Sequence, residues 1–187
     1  MNFKKHSEIV GEHSFLSPSR YAWTNYDSEK LVDSYKKFLA TQKGTKLHAF
    51  ACDCIELGIK LPKSKKSLNA YVNDAIGFHM QPEQPLFYST NAFGTADAIS
   101  FEKDQLRIHD LKTGVSPTSM RQLEVYVAYF CLEYGYKPED IQIELRIYQN
   151  DEIDQYVPLE SDITLIMQKI VLFDKEITRI NDEGRVQ

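Results

Sequence analysis

The sequence contains little glycine and proline and few cysteines. Its 187 residues include 8 glycines and 7 prolines, together about 8%, whereas about 12% is usual. This shortage argues against collagen-like or low-complexity character and favours an ordinary globular domain. The three cysteines cannot all pair with one another, and in a chain without a secretory signal they are expected to be reduced thiols.

Long hydrophobic runs and an excess of positive charge are also missing. The strongest apolar stretch, residues 125–132, is far shorter than the roughly 20 residues that cross a bilayer. No signal peptide is visible either, so we expect a cytoplasmic protein without a membrane partner. The net charge of −5 excludes a protein that coats nucleic acid through clustered basic residues. It does not exclude a site that holds phosphate through a metal.

The pattern of apolar residues predicts an α/β fold with a helical N-terminal third. The predicted helices begin after Ser17, at Ser28, near Leu47 and at Ser67, and a break at Gly44–Thr45 separates the second from the third. Later helices are predicted at 118–134 and 161–180, and strands at 86–88, 96–101, 106–111, 141–148 and 153–157. We expect one domain over 1–187. Residues 1–80 are expected to be mainly helical, and residues 81–187 to hold a mixed β-sheet covered by helices.

A predicted turn at 102–105 brings two aspartates together. If Lys103 and Asp104 form its centre, the two flanking strands pair so that Asp97 faces Asp110 at their far end. The apolar residues between turn and aspartates share that face. Directly opposed partners have Cβ atoms about 5 Å apart, so two carboxylates there repel each other.

A divalent cation between the aspartates would remove this repulsion, because carboxylate oxygens are preferred ligands of Mg²⁺. Lys112 shares the face and could polarise a water or contact a phosphate. Two alternatives stay open: a surface ion pair of Lys112 with Asp97 or Asp110, and a register shifted by one residue. His109 points to the opposite face and is expected to be a structural or surface residue.

These and other segments resemble the PD-(D/E)xK nuclease superfamily. Residues 94–97 (Gly-Thr-Ala-Asp) resemble its GxxD strand, and 109–114 (His-Asp-Leu-Lys-Thr-Gly) its xDxKTG strand. In the RecB-type subgroup, residues 122–126 resemble the QxxxY helix, 44–48 the GxxxH element and 16–20 the SxSR opening. The chain looks like a stand-alone nuclease domain of the kind found in phage genomes.

The resemblance implies a restriction-endonuclease-like fold and a role for each matched residue. The implied ligands of Mg²⁺ or Mn²⁺ are His48, Asp97, Asp110 and the backbone carbonyl of Leu111, with Glu83 and Glu56 as further candidates. The implied catalytic residues are Asp97, Asp110, Lys112, Gln122 and Tyr126. The implied DNA contacts are Arg20, Thr113, Gln122 and Tyr126. Lys112 would orient or help deprotonate the attacking water.

Several of these residues also have an ordinary structural interpretation. His48 alone would be a helix histidine, Glu56 a solvent-exposed helix residue, and Gln122 and Tyr126 the polar margin of an amphipathic helix. Some relatives hold an iron–sulfur cluster with four cysteines. This chain has only three cysteines, so no such cluster is expected. The P-loop pattern is also missing from the sequence, so no nucleotide cofactor is expected, and a helicase motor would be a separate chain.

The resemblance thus predicts a metal-dependent deoxyribonuclease. The first choice is an exonuclease that acts on DNA ends in phage or bacterial recombination or genome processing. The alternatives are a structure-specific endonuclease, a catalytically inactive DNA-binding or inhibitor protein on the same fold, and a structural phage protein. Besides the DNA substrate, the implied partner is a single-strand annealing protein or a helicase, and oligomers occur among related enzymes.

Overall fold

The structure is a computed structural model and describes residues 14–184. Contacts within the chain divide it into two compact units, residues 1–45 and 46–187. Helix α1, Ser28–Glu56, contributes its N-terminal turns to the first unit and its C-terminal turns to the second. The single domain over 1–187 stays a prediction.

Two predictions for the first unit need correction. The segment Pro18–Asn25 is a 3₁₀ stretch rather than an α-helix, and its backbone is kinked at Arg20 (φ −115°, ψ 39°). Gly44 does not break the chain, and α1 runs through it without interruption. A lone glycine costs a helix only about 1 kcal/mol, which good helix formers around it offset.

Between residues 46 and 184 the chain forms a five-stranded sheet, three further α-helices and a short 3₁₀ helix, Pro138–Asp140. In chain order the strands and these α-helices are α2 (Ser67–Gly77), β1 (Gln81–Ser89), β2 (Ala92–Glu102), β3 (Gln105–Leu111), α3 (Arg121–Tyr134), β4 (Gln142–Gln149), β5 (Glu152–Tyr156) and α4 (Glu160–Gly184). The strands lie in the order β1-β2-β3-β4-β5, and only the β3–β4 pair is parallel. The predicted α/β architecture with a mixed sheet and flanking helices is therefore confirmed, while the restriction-endonuclease-like fold stays a prediction.

The predicted hairpin register is correct. Phe101 pairs with Leu106 and Ile99 pairs with Ile108 across β2 and β3. Both central turn residues have positive φ, 52° at Lys103 and 61° at Asp104, as the tight two-residue hairpin turn requires. This register brings Asp97 and Asp110 to the same end of the strand pair.

Strand β1 is longer than predicted. It begins at Gln81, so Glu83 lies inside the strand rather than before it. Pro82 and Pro85 obscured this in the sequence, because proline cannot donate to a ladder and argues against a strand. An edge strand tolerates both prolines, and β1 is an edge strand.

The two faces of the sheet bury separate cores. The face under α3 and α4 packs Leu106, Ile108 and Leu145 against α3. The other face packs Leu111 and Tyr148 against α2 and the end of α1. His109 lies on this second face, as predicted, and is completely buried, so it is a structural residue. None of the described helices combines the length and the apolar character needed to span a membrane.

Candidate metal centre

Asp97, on β2, has a neighbour on each of the two adjacent strands. On β1 the residue opposite Asp97 is Glu83, which follows the paired residue Pro82. Towards β3 its Oδ2 accepts the backbone N–H of Leu111 at 3.0 Å. The middle strand of the β1–β2–β3 meander thus places this carboxylate between two partners.

Three metal-ligand side chains converge at this point from separate elements. His48 on α1, Glu83 on β1 and Asp97 on β2 each place one ligand atom within 4.8 Å of the other two. Nδ1 of His48 lies 3.4 Å from Oδ2 of Asp97. Carboxylate oxygens suit Mg²⁺, and an added imidazole nitrogen makes Mn²⁺ acceptable as well. Glu83, only a further candidate in the sequence, is therefore one of the three members of the group.

Glu83 has an unusual backbone conformation. Its φ is 47°, a region that residues other than glycine rarely occupy. Such conformations cost of order 1–3 kcal/mol and persist where the surroundings impose them, often at functional sites. The strained backbone lies opposite Asp97, at the residue whose carboxylate joins His48.

Asp110 is the most buried carboxylate of the site. Only 3% of the residue is exposed. Its Oδ1 accepts a hydrogen bond from Lys112 Nζ at 2.8 Å, and its Oδ2 is buried with no partner among residues 14–184. Lys112 Nζ also donates to Oε1 of Gln122 on α3 at 3.0 Å. Burying a carboxylate oxygen without a hydrogen-bond partner costs free energy, unless a cation binds the oxygen.

The electrostatics of both aspartates point to missing positive charge. Burial raises the pKa of Asp97, and the neighbouring His48, the Leu111 N–H and Lys112 only partly oppose this. Burial also raises the pKa of Asp110, and the charge of Asp97 raises it further against the opposing effect of Lys112. Burial, and for Asp110 the neighbouring charge of Asp97, therefore make the charged carboxylates costly. A bound divalent cation would offset this cost.

Tyr126 on α3 packs its ring over Gly94 on β2. A Cβ built at Gly94 would lie 3.0 Å from Cε1 of Tyr126, closer than a relaxed contact. The GxxD glycine and the QxxxY tyrosine are thus neighbours, and the absence of a side chain at Gly94 makes room for the ring. This contact fixes the start of α3 against the strand that carries Asp97.

Gly94→Ala is expected to destabilise the protein by about 1 kcal/mol, because overpacking forces the Tyr126 ring to move. In a Tyr126→Ala background the same change should have no cost. Denaturant unfolding of the four proteins measures this double-mutant cycle. Gly114→Ala is the control, since a Cβ at Gly114 meets nothing within 4 Å. An equal cost with and without the Tyr126 ring would contradict the contact.

The remaining predicted residues lie elsewhere or make other contacts. Glu56 is exposed and accepts a weak hydrogen bond from Sγ of Cys52 at 3.8 Å; it is not part of the three-residue group. Thr113 is exposed in the segment that follows β3. Arg20 is exposed in the first unit. The predicted roles of these three residues stay predictions.

A polar cluster behind the site was not anticipated from the sequence. The hydroxyl of Tyr148 on β4 donates to Oδ2 of Asp74 on α2 at 2.7 Å, and Nη1 of Arg146 reaches the same oxygen at 3.0 Å. The Tyr148 oxygen also lies 3.2 Å from Nδ1 of His109. Asp74 lies more than 70 residues before Arg146 and Tyr148 in the sequence. No local sequence pattern predicts contacts between residues so far apart.

Comparison with protein-family models, curated proteins and solved structures finds no match to this chain. Membership of the PD-(D/E)xK superfamily therefore stays a prediction from the motifs. The geometry around His48, Glu83, Asp97 and Asp110 is an independent basis for a functional proposal.

Proposed function

We propose that this chain is a metal-dependent deoxyribonuclease that hydrolyses phosphodiester bonds. The observation that carries the proposal is the convergence of His48, Glu83 and Asp97 beside the ion pair of the buried Asp110 with the partly exposed Lys112. The raised pKa of both aspartates, and Oδ2 of Asp110, which has no partner among the described residues, support a site built for a cation. A protein that only binds DNA would have no need of such buried negative charge, which disfavours the non-catalytic alternative.

The chain's own residues divide the remaining work. His48, Glu83, Asp97 and Asp110 would hold Mg²⁺ or Mn²⁺, with the Leu111 carbonyl as the further ligand that the motif implies. When bound, the cation would lower the pKa of a water and neutralise charge on the phosphate. The residues therefore fit the metal in both ligand type and charge.

Lys112 is the residue that would act on the attacking water. Asp110 and Gln122 accept two of its three N–H groups, at 2.8 and 3.0 Å. The third N–H is left for a water or a phosphate oxygen. Gln122 is then a positioning residue that fixes the direction of the lysine amine, rather than a group that contacts the reacting atoms.

The proposed substrate is DNA, and the net charge limits how the protein could hold it. The resemblance favours DNA, with exonuclease action at DNA ends in recombination or genome processing as the first choice. With a net charge of −5, the protein cannot rely on broad attraction to phosphates. Contact is expected to be local, at the cation and a few side chains, and metal-free protein should hold DNA weakly.

Asp97→Ala is expected to remove Mn²⁺ binding and metal-dependent cleavage together, because Asp97 is one of the three side chains whose ligand atoms converge. Altering groups that only support metal ligands already costs 10–100-fold, so the loss should be at least about a hundredfold in each. Isothermal titration with Mn²⁺ measures the binding. Incubation with linear, circular, single-stranded and double-stranded DNA, with and without Mg²⁺, measures the cleavage.

Asp154→Ala is the matched control, since it removes the same charge from an exposed position on β5. It should leave both readouts unchanged. Degradation of linear but not circular DNA would identify an exonuclease. Unchanged Mn²⁺ binding by the Asp97 variant, or no metal-dependent cleavage of any of the four DNAs by the unaltered protein, would refute the proposal.

A further inference from the structure

Two large aromatic side chains stand exposed side by side on the β1–β2 hairpin. Phe87 and Phe93 are cross-strand partners. Their ring centroids are 6.3 Å apart and their planes are inclined by 29°. Phe87 is 50% exposed and Phe93 64%. Single exposed apolar residues are common, but a stacked pair of phenylalanines in water is an unusual surface feature.

The register relates this pair to the candidate metal centre. The neighbouring partners Leu86 and Gly94 pack on the α3 side, where Tyr126 covers Gly94. Adjacent strand positions point to opposite faces, so the two phenyl rings project from the other face. Phe87 is four residues from Glu83 on β1, and Phe93 is four residues from Asp97 on β2. Four residues of an extended strand span about 13 Å.

The charge of this hairpin indicates which part of a nucleic acid it could contact. Residues 81–96 contain no lysine and no arginine, and Glu83 is acidic. Away from a bound cation such a surface does not attract phosphates, which proteins bind mainly through basic groups. Aromatic rings instead stack on the faces of nucleobases. Those faces are accessible in a single strand and are covered by their neighbours in a duplex.

We propose that Phe87 and Phe93 stack on unpaired bases of the DNA strand whose phosphodiester lies at the metal centre. The substrate engaged there is a single strand or the frayed end of a duplex. This inference rests on the proposed nuclease function and adds the strand state of its substrate. The two rings hold the bases, and the cation site about 13 Å away along the hairpin engages the phosphate.

The test uses Phe87→Ala and Phe93→Ala in the full chain. Fluorescence anisotropy with Ca²⁺ in place of Mg²⁺ measures binding of one oligonucleotide as a single strand and as a duplex, because the proposed site holds DNA through a cation. Each alanine variant should weaken single-strand binding about fivefold or more, as expected for loss of one stacked base, with duplex binding unchanged. A 2-aminopurine base in the single strand should be quenched by the unaltered protein and less by either variant.

Two controls separate stacking from other effects. Phe93→Trp keeps an aromatic face and should retain single-strand binding. Leu165→Ala removes an apolar side chain that is 62% exposed on α4, and it should change nothing. Thermal unfolding of every variant confirms that the fold is intact.

The possible failures are distinguishable. Unchanged single-strand affinity in both alanine variants, while the unaltered protein still cleaves DNA with Mn²⁺, would overturn the stacking proposal alone. An equal loss of single-strand and duplex binding would also overturn it, because base access would then not matter. If the unaltered protein neither cleaves DNA with Mn²⁺ nor binds either oligonucleotide, both proposals fall.

Discussion

Asp110→Asn is expected to abolish cleavage and, at the same time, to stabilise the metal-free protein. The pKa of Asp110 is raised in the folded state, chiefly by burial. Such an acid favours folding at low pH, where it is protonated, and that contribution is lost as the pH rises through the folded pKa. At pH 7 the buried charge therefore destabilises the metal-free protein, and asparagine removes it. Each kcal/mol regained should raise Tm by roughly 2–4 °C.

Thermal unfolding in EDTA and in saturating Mn²⁺ measures this prediction. In EDTA at pH 7 the Asp110→Asn protein should melt higher, and the difference should shrink as the pH approaches 4. In Mn²⁺ the order should reverse, because a ligand at a hundred times its Kd stabilises the binding-competent protein by about 2.7 kcal/mol. Cleavage by the variant should fall at least about a hundredfold.

Asp154→Asn on β5 is again the control and should not alter Tm or cleavage. A lower Tm for the Asp110 variant at pH 7 without metal would show that the 2.8 Å bond with Lys112 outweighs the burial of the charge. The carboxylate would then be a structural ion pair, and the case for a cation would be lost. A stability gain together with lost cleavage is the pattern expected of a residue kept for function at the expense of stability.

The portion of the site that the sequence predicts is the portion set by local rules. Strand alternation and a two-residue turn are enough to place Asp97 and Asp110 at one end of the β2–β3 pair, and the pairing of Ile99 with Ile108 agrees. The bond from Lys112 to Asp110 follows from their spacing, since Lys112 comes directly after β3 and two positions after Asp110. Such relations need no knowledge of the rest of the chain.

The features that escape prediction depend on tertiary contacts. Glu83 joins His48 and Asp97 only because β1 extends through two prolines and adopts a positive φ at residue 83. Neither feature has a local signal, since proline argues against a strand. The predicted helix break at Gly44 rests only on the low helix propensity of glycine. The rest of α1 outweighs that propensity, and the helix continues through Gly44.

His109 explains how the strand behind the site is held in place. The Tyr148 hydroxyl donates to Asp74, so its oxygen is left to accept from His109 Nδ1–H at 3.2 Å. This assigns the neutral ring its proton on Nδ1. The other nitrogen, Nε2, is buried without a partner among residues 14–184. Protonation would add a second N–H with no acceptor there.

Replacing His109 by Asn is expected to reduce the loss of stability in acid. Burial lowers the pKa of His109 to about 3 from an ordinary value of 6.5, and the charges of Arg146 and Arg107 act in the same direction. A base with a depressed folded pKa stabilises the protein fully above the unfolded value. That contribution is lost as the pH falls towards the folded value, by about 1.4 kcal/mol for each pH unit crossed.

Urea unfolding at intervals between pH 7 and pH 3.5 measures the effect. His109→Asn should lower stability at pH 7, because the ring packs against Phe78, yet its curve should fall less steeply with acid. The raised pKa values of Asp97 and Asp110 act in the opposite direction in both proteins, so the difference between the two curves isolates the histidine. His79→Asn, at an exposed histidine, is the control and should leave the slope unchanged. Parallel curves for the unaltered protein and His109→Asn would mean that His109 titrates normally. That result would contradict the prediction, which rests on the buried Nε2 having no partner among the described residues.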